Sequence, residues 1–409
     1  MRFEPEHFIV EEIIPTGDVL KINEAFTKKD EDDLKPAYYF TQFILQKRLW
    51  TTAHAIREVA RRLHLSQKRL NYAGNKDRNA VTTQRCSAFA VEPERIMNLR
   101  IKDITILGAW KTKEKVALGE VMGNRFTIRV PSKTYDAKTI QEKARAASMT
   151  IPNLFGPQRF GSVRNITHEI GKRLVQEKYA EAITHYLTAH DEQEHHAEAR
   201  HARKRLKETM DYTEALRTFP QHLRIERTLI AHLAKQPNDH LGAFRKLHRS
   251  MQLLFVHAYQ SHLFNQVTER RKRAGHLLHA NIGDAYASLN ENGFPNLETM
   301  HRIEDAEQRE MAQEKVNERK AVLLGRLIGY ESDLGEAEQN LLAEEGISLQ
   351  QFHLRSLPEL SPKGGWRPLF LFLNDFQANE ENDWSVLRFS LPAGSYATVA
   401  LHALGIAPE

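Results

Sequence analysis

The sequence predicts an α+β protein in which a helix-rich stretch interrupts a discontinuous, strand-containing domain. Three observations predict it. Strand-compatible segments and one short amphipathic helix fill residues 1–165, the composition turns to Ala, Glu, Gln, His, Arg and Lys across 166–349, and strand patterning returns over 350–409. Helix-forming residues with few β-branched runs are what an inserted helical domain requires.

In chain order, Ala55, Ile56, Val59, Ala60 and Leu63 recur at helical spacing behind Thr51 and Thr52, either of which can cap the helix by accepting a free backbone N–H. The stretches LNYAGNKD and QRCSAFAVE carry strand-compatible residues broken by Gly74 and a charged turn. RFTIRV alternates, with Phe126, Ile128 and Val130 on one face and Arg125, Thr127 and Arg129 on the other. Gly119 and Gly123 bracket the turn before it. The clearest middle element is MQLLFVHAYQSHLFNQVTERRKRAG. There Leu253, Leu254, Val256, His257, Tyr259, Gln260, Leu263, Phe264 and Val267 predict a broad apolar face, with a basic last turn and Gly275 as the stop. PLFLFL from Pro368 reads as a central strand apolar on both faces, Val386 to Leu391 as another strand, and SYATVALHALG as a short helix capped by Ser395 with Gly405 behind it.

Composition narrows the function classes. The 409 residues carry 58 Lys plus Arg against 53 Asp plus Glu, a formal charge of +5, with 41% hydrophobic content and one cysteine. That hydrophobic share supports real cores in place of disorder. A lone Cys86 excludes an internal disulfide and any thiolate-rich metal cluster, and in an alternating strand it reads as a small buried hydrophobe. The longest apolar runs are far short of the ~20 residues that span a bilayer, and acidic residues interrupt MRFEPEHFIVEEIIP, so neither a membrane helix nor a signal peptide is expected. A cytoplasmic protein follows as the expectation. The modest positive surplus allows an anionic partner without proving one.

Two segments carry chemistry. In NYAGNKDRNAVTTQ, Asp77 sits between Lys76 and Arg78, cations that favour an ionised carboxylate, which makes it a nucleophile or electrostatic stabiliser needing no separate base. Gly74 leaves room for a substrate or a second backbone. On these three residues alone, KDR more often marks a solvated surface turn. In IPNLFGPQRFGSVRN, Phe155 and Phe160 precede glycines while Gln158, Arg159 and Arg164 supply donors, the equipment for stacking and edge-reading an unpaired base. Two phenylalanines that plug a core would look the same. His190, His195, His196 and His201 lack the i, i+4 pairing of a helical zinc site and predict a charged, solvated helix. HARKRLK and RRKRAG read as exposed basic faces.

Several separated motifs together resemble the tRNA pseudouridine synthase D family, in its archaeal or eukaryote-like branch. PEHFIVEE at Pro5 to Glu12 is similar to the family's PEDFxVxE, and AGNKDRNAVTTQ to its AGxKDxxAxTxQ around the catalytic aspartate. NLFGPQRFG is similar to NxFGxQRFG and LGEVMGNRF to LGxLxGNxF, while YQSHLFN and LPAGSYAT are similar to its last two recurring segments. The resemblance implies a V-shaped protein: a pseudouridine synthase catalytic domain with a mixed, largely antiparallel sheet (1–165 and 350–409), interrupted by a family-specific α/β, helix-rich insertion (166–349). It implies Asp77 as nucleophile, Asn153 positioning groups near it, Phe155 stacking on the target base and, more loosely, Phe389 as a second aromatic wall. Lys76, Gln158 and Arg159 join these as substrate-binding residues. Arg2 stands where some members have a lysine near the aspartate, and His7 where the opening motif has Asp. Arg125, Arg129, Arg159 and Arg164 are the groups to hold phosphates.

The implied reaction isomerises a uridine of tRNA, position 13 of the D arm being the family's usual target, to pseudouridine. It breaks the N1–C1′ bond, turns the base and rejoins it through C5, with no net redox change or hydrolysis, so neither cofactor nor metal is expected. No GxGxxG or P-loop occurs in the chain. The partner is tRNA, with no membrane and no obligatory protein. Competing readings are a non-catalytic RNA-binding protein on the same fold, a glycosidic-bond hydrolase, which typically employs two carboxylates, and more remotely a metal hydrolase on the His-rich helix.

Overall fold

A computed structural model of the chain describes residues 4–35, 38–146, 150–161, 164–191 and 196–407. Among them the strands are, in chain order, β1 (Phe8–Ile13), β2 (Phe40–Arg48), β3 (Leu70–Tyr72), β4 (Val81–Phe89), β5 (Ile104–Thr112), β6 (Gly123–Pro131), β7 (Thr150–Pro152), β8 (Ala285–Leu289), β9 (Pro295–Arg302), β10 (Ala321–Leu327), β11 (Gly365–Pro368), β12 (Phe370–Phe372), β13 (Asn374–Glu381) and β14 (Trp384–Pro392). Contacts gather the chain into two compact units, residues 1–151, 288–297 and 371–409, and residues 152–287 and 298–370.

The first unit is built on an eight-stranded sheet of order β13-β14-β6-β1-β4-β2-β5, with β3 on β4. β1 and β4 pair in parallel, and every other recorded pairing is antiparallel, so the sheet is mixed and largely antiparallel. The predicted first helix forms over Thr52–Arg62, with the Thr51 hydroxyl accepting from the His54 N–H as its cap. Its Ala55, Ile56, Val59 and Ala60 bury against Phe43, Leu45 and Cys86 of the sheet. RFTIRV forms β6 with the predicted face inward: Phe126, Ile128 and Val130 join Leu387, Phe389 and Leu391 of β14.

The second unit carries a helical core and a four-stranded sheet, β11-β10-β8-β9. The middle of the chain is therefore α/β, as the family resemblance implies, and not helical throughout as composition alone reads. Its axis is the helix Arg249–Arg273, which is buried nearly all round, unlike the one-faced helix the sequence predicts. Phe255 and Val256 enter one cluster with Ile170, Leu229 and Phe244, while Tyr259 and Leu263 enter another with Ile328, Leu341 and Phe352. Gly171 permits this, since a Cβ there would stand 2.1 Å from the Phe255 carbonyl oxygen.

Other expectations are corrected. PLFLFL is not one strand: Pro368 ends β11, the Leu369 N–H turns to the Leu323 carbonyl, and Phe370–Phe372 forms the separate, short β12 paired with β7. The last helix, Ala397–Ala403, starts behind Tyr396 with no side-chain cap, so Ser395 does not cap it. In HARKRLK, Arg203 is 2% exposed and paired with Glu226 at 2.8 Å, because it shares the buried face of Ala197–Thr209 with Ala199, Ala202 and Leu206. RRKRAG, in contrast, is the exposed basic turn expected, with Arg270 pairing with Glu344 and Arg271 with Asp284. The compositional changes at 165 and 350 fall inside the second unit, because Phe352, Leu354, Leu357 and Leu360 pack into its cores.

Candidate active site

The Asp77 loop owes its shape to the strands on either side of it. β1 runs parallel to β4 and β2 antiparallel to it, so Ile9, the start of β4 at Val81, and the end of β2 at Arg48 lie side by side. Residues 73–80 enter β4 over that junction. Their polar backbone groups must find partners there, since a buried loop cannot leave them unmatched.

Those of Ala73, Gly74, Lys76 and Asp77 that point inward turn to specific donors or acceptors. The Ala73 carbonyl accepts from the Gly119 N–H at 2.7 Å, and the Gly74 carbonyl accepts from the Gln84 side-chain amide at 3.2 Å. Thr52 Oγ accepts from the Lys76 N–H and donates to Gln84 Oε1, both at 2.9 Å. The carbonyls of Lys76 and Asp77 accept from Lys47 Nζ at 3.4 and 2.7 Å. Gln84, the last residue of the AGNKDRNAVTTQ motif, thus works as a strut and not as a substrate contact.

The flanking cations are arranged differently from the expectation. Lys76 is buried and turned inward onto Glu12, Nζ to Oε2 at 2.8 Å, while Glu12 Oε1 accepts from the Arg85 N–H at 2.9 Å. Arg78 is exposed. The cation beneath the loop is instead Lys47, 0% exposed, which burial holds down to about 8 against the favourable charge of Asp77. Asp77 itself is partly buried, and among the described residues its carboxylate makes no hydrogen bond or ion pair. Among those residues it is a held but uncommitted acid. A Cβ at Gly74 would meet nothing within 4 Å, so that glycine borders open space and not a second backbone.

The second motif, in the second unit, is locked to the long helix and to β11. Asn265 grips the Phe155 peptide at both ends, its Oδ1 accepting the Phe155 N–H at 2.8 Å and its Nδ2 donating to the Phe155 carbonyl at 2.9 Å. Asn153 donates its N–H to the Leu369 carbonyl and its side-chain amide to the Pro368 carbonyl. Arg367 Nε donates to the Asn153 carbonyl at 3.0 Å and its terminal nitrogen to Asn153 Oδ1 at 2.8 Å, with its guanidinium 4.0 Å from the centre of the Phe155 ring. Phe264 meets that ring edge-on at 5.7 Å. Gly325 makes space beneath, since a Cβ there would stand 2.5 Å from Leu369 and 2.9 Å from Phe264. Phe155, partly buried, is therefore a ring fixed through backbone, edge and cation, which is what a stacking platform requires. Arg367→Met removes both hydrogen bonds to Asn153 and so strips its carbonyl oxygen and Oδ1 of that donor. It should lower unfolding free energy by about 1–3 kcal/mol in urea denaturation, and an unchanged midpoint would mean that Asn153 is held without it.

The structure gathers Asn153, Phe155 and Arg159 in one unit and Lys76 with Asp77 in the other. Arg159 donates to Ser261 Oγ at 3.0 Å with its guanidinium 5.5 Å from the Phe155 ring, and Gln158 is exposed. Phe389 does not present a wall. It is 1% exposed, stacked on Phe126 at 5.5 Å and on Phe376 at 5.9 Å in the core. Arg2 and His195 lie outside the described residues. Arg125 pairs with Glu11, Arg129 reaches the Glu6 carbonyl and Glu381, and Arg164 donates to the Tyr186 carbonyl. These arginines are thus already engaged with protein groups. His190, His196 and His201 enter no group of three metal-ligating side chains among the described residues. A cavity of about 350 Å³ bounded by His168, Lys172, His262 and Glu345 takes Tyr259 and His262 from the YQSHLFN motif but no residue of the Asp77 or Phe155 motifs.

Four residues that build these two clusters escape sequence reasoning: Glu12, Lys47, Asn265 and Arg367. Glu12 and Asn265 end motifs quoted for their resemblance alone. Lys47 was legible as a charge at the inward parity of Phe43 and Leu45, and Arg367 as a lone cation before an apolar run.

Among the described residues no helix is long and apolar enough to cross a membrane. The family model described as tRNA pseudouridine synthase D (TruD) matches residues 1–404. A Methanosarcina acetivorans protein named as a tRNA pseudouridine synthase D is 35% identical, over 98% of this chain and 91% of its own length. One from Archaeoglobus fulgidus with the same name is 34% identical, over 98% of this chain and 93% of its own. The crystal structure of a Methanosarcina mazei tRNA pseudouridine synthase D superposes with a TM-score of 0.74 at 33% identity, covering 100% of this chain and 94% of the other.

Proposed function

This chain belongs to the tRNA pseudouridine synthase D family and is an isomerase of that class, and we propose that it converts uridine 13 in the D arm of tRNA to pseudouridine with Asp77 as the nucleophile. The observation that carries this reading is the Asp77 loop. A carboxylate that makes no hydrogen bond or ion pair among the described residues sits on a backbone whose inward groups are matched to Gly119, Gln84, Thr52 and Lys47. Such preorganisation serves a reacting group, because the geometry is established before substrate arrives.

In this reading the target uridine leaves its stack to enter the site, as base-modifying enzymes require. Asp77 assists departure of the base from C1′. The detached base keeps its place against Phe155, turns, and bonds to C1′ through C5. The C5 hydrogen leaves as a proton and N1 ends protonated, so atoms and charge balance without oxidant or water. Asn153 and Arg367 keep the ring in register. The first unit is the catalytic domain, the second the family-specific insertion, and the cytoplasm the place of action.

Chemical mapping of pseudouridine in a tRNA transcript treated with the protein tests the position: modification at 13 is expected, and modification elsewhere alone would overturn the assignment. Stacking on one aromatic ring contributes about 1–3 kcal/mol. Phe155→Ala should therefore slow single-turnover conversion roughly 10- to 100-fold while tRNA affinity changes less. An unchanged rate would return that ring to a packing role.

A further inference from the structure

We propose that Lys47 is the positioning residue of the Asp77 loop: its ammonium, from beneath, fixes two peptide carbonyls and so holds the carboxylate above them in its working place. The proposal rests on the reading of Asp77 as the reacting acid.

The strand explains how the lysine gets there. Side chains alternate along β2, so Lys47 follows Phe43 and Leu45 onto the face covered by the helix Thr52–Arg62, where an apolar residue would complete the core. It is instead a lysine, 0% exposed, a burial that lysine almost never shows unless paired. No carboxylate hydrogen-bonds it among the described residues. Glu12, close by in the sheet, is engaged with Lys76 and with the Arg85 N–H. The ammonium gives its protons to the Asp77 carbonyl at 2.7 Å and the Lys76 carbonyl at 3.4 Å. These are the two inward carbonyls at the aspartate, and Lys47 is the donor recorded for both among the described residues. Charge-assisted bonds from an ammonium are about twice as strong as neutral ones.

The charges felt by Lys47 come from every side of the junction. Asp77 favours the cation, Lys76 opposes it, and the buried Cys86 thiol lies on the same face of β4. Burial outweighs them and brings the ammonium down to about 8 from its ordinary 10.5. Between those two values the unfolded chain binds more protons than the folded one, so the burial penalty fades and stability from this group rises with pH. Turnover should move the other way, because the charged anchor is lost. A packing lysine would not set stability and rate in opposite directions.

Single-turnover conversion of a tRNA transcript by the full chain, from about pH 7 to about pH 10, tests this. Wild type should lose rate with a midpoint near 8. Lys47→Met should be slower at neutral pH by about 10²-fold, the scale of an ångström-sized misplacement, with tRNA affinity unchanged and the alkaline loss absent. Lys47→Arg, charged throughout, should keep measurable activity and also lack that loss. A Lys47→Met protein at the wild-type rate overturns the proposal. If that variant does not fold, Lys47→Arg decides: an alkaline loss retained near 8 overturns it equally. Asp77→Asn separates the premise from the inference. If Asp77→Asn is active, the reading of the aspartate falls; if it is inactive while Lys47→Met is fully active, only the role of Lys47 falls.

Discussion

Asp77→Asn should reduce conversion of uridine to pseudouridine by about 10⁴-fold or more, the scale seen when a nucleophile is removed, while tRNA binding and folding persist. The loop explains the separation. Its anchors are the backbone groups of residues 73, 74, 76 and 77 and the Lys76 side chain, and none uses the Asp77 carboxylate. Asparagine occupies the same volume, so the loop keeps its partners. Loss of one negative charge near a polyanion should tighten RNA binding slightly, since phosphate contacts dominate affinity. A filter-binding isotherm beside the rate measurement checks both halves. Residual activity within about tenfold of wild type would remove Asp77 from the chemistry.

Glu12→Ala should be the most destabilising single change near the site, by about 3–5 kcal/mol, because it leaves a buried ammonium without its counter-charge. Glu12 is 0% exposed, and its two oxygens serve Lys76 at 2.8 Å and the Arg85 N–H at 2.9 Å. The substitution therefore orphans a cation and a backbone donor together. Glu12→Gln keeps an acceptor for Arg85 and should cost less, and adding Lys76→Met to it should recover stability by removing the stranded charge. Urea denaturation of the three variants reads the order directly. A Glu12→Ala protein as stable as wild type would mean that the pair contributes nothing to holding the loop.

That pair also shows how far the sequence could be read. PEHFIVEE and AGNKDRNAVTTQ are legible as separate motifs, but nothing in either says that the last residue of the first neutralises the lysine of the second. The junction is made by the parallel pairing of β1 and β4, a contact between distant segments. Local patterning succeeds where one face decides the outcome, as in the helix behind Thr51 and the alternation of Phe126, Ile128 and Val130. It fails where burial is two-sided. Arg249–Arg273 is packed against two clusters, so no single apolar face describes it. Phe389 illustrates the same limit, since a ring before a motif gives no sign of whether it lines a cleft or fills a core, and here Phe126 and Phe376 enclose it. Sequence neighbours of Asp77 were equally poor guides to its electrostatics: strand parity and register deliver Lys47, thirty residues away, while adjacent Lys76 turns inward.

The central claim is that the acid on this loop isomerises a uridine of tRNA. Release of tritium to water from tRNA labelled at C5 of uridine measures it most directly, with Asp77→Asn as the control. The account predicts one tritium released per tRNA, no free uracil and none of either from the variant. Bound tRNA with no tritium released, or uracil set free in its place, would contradict it.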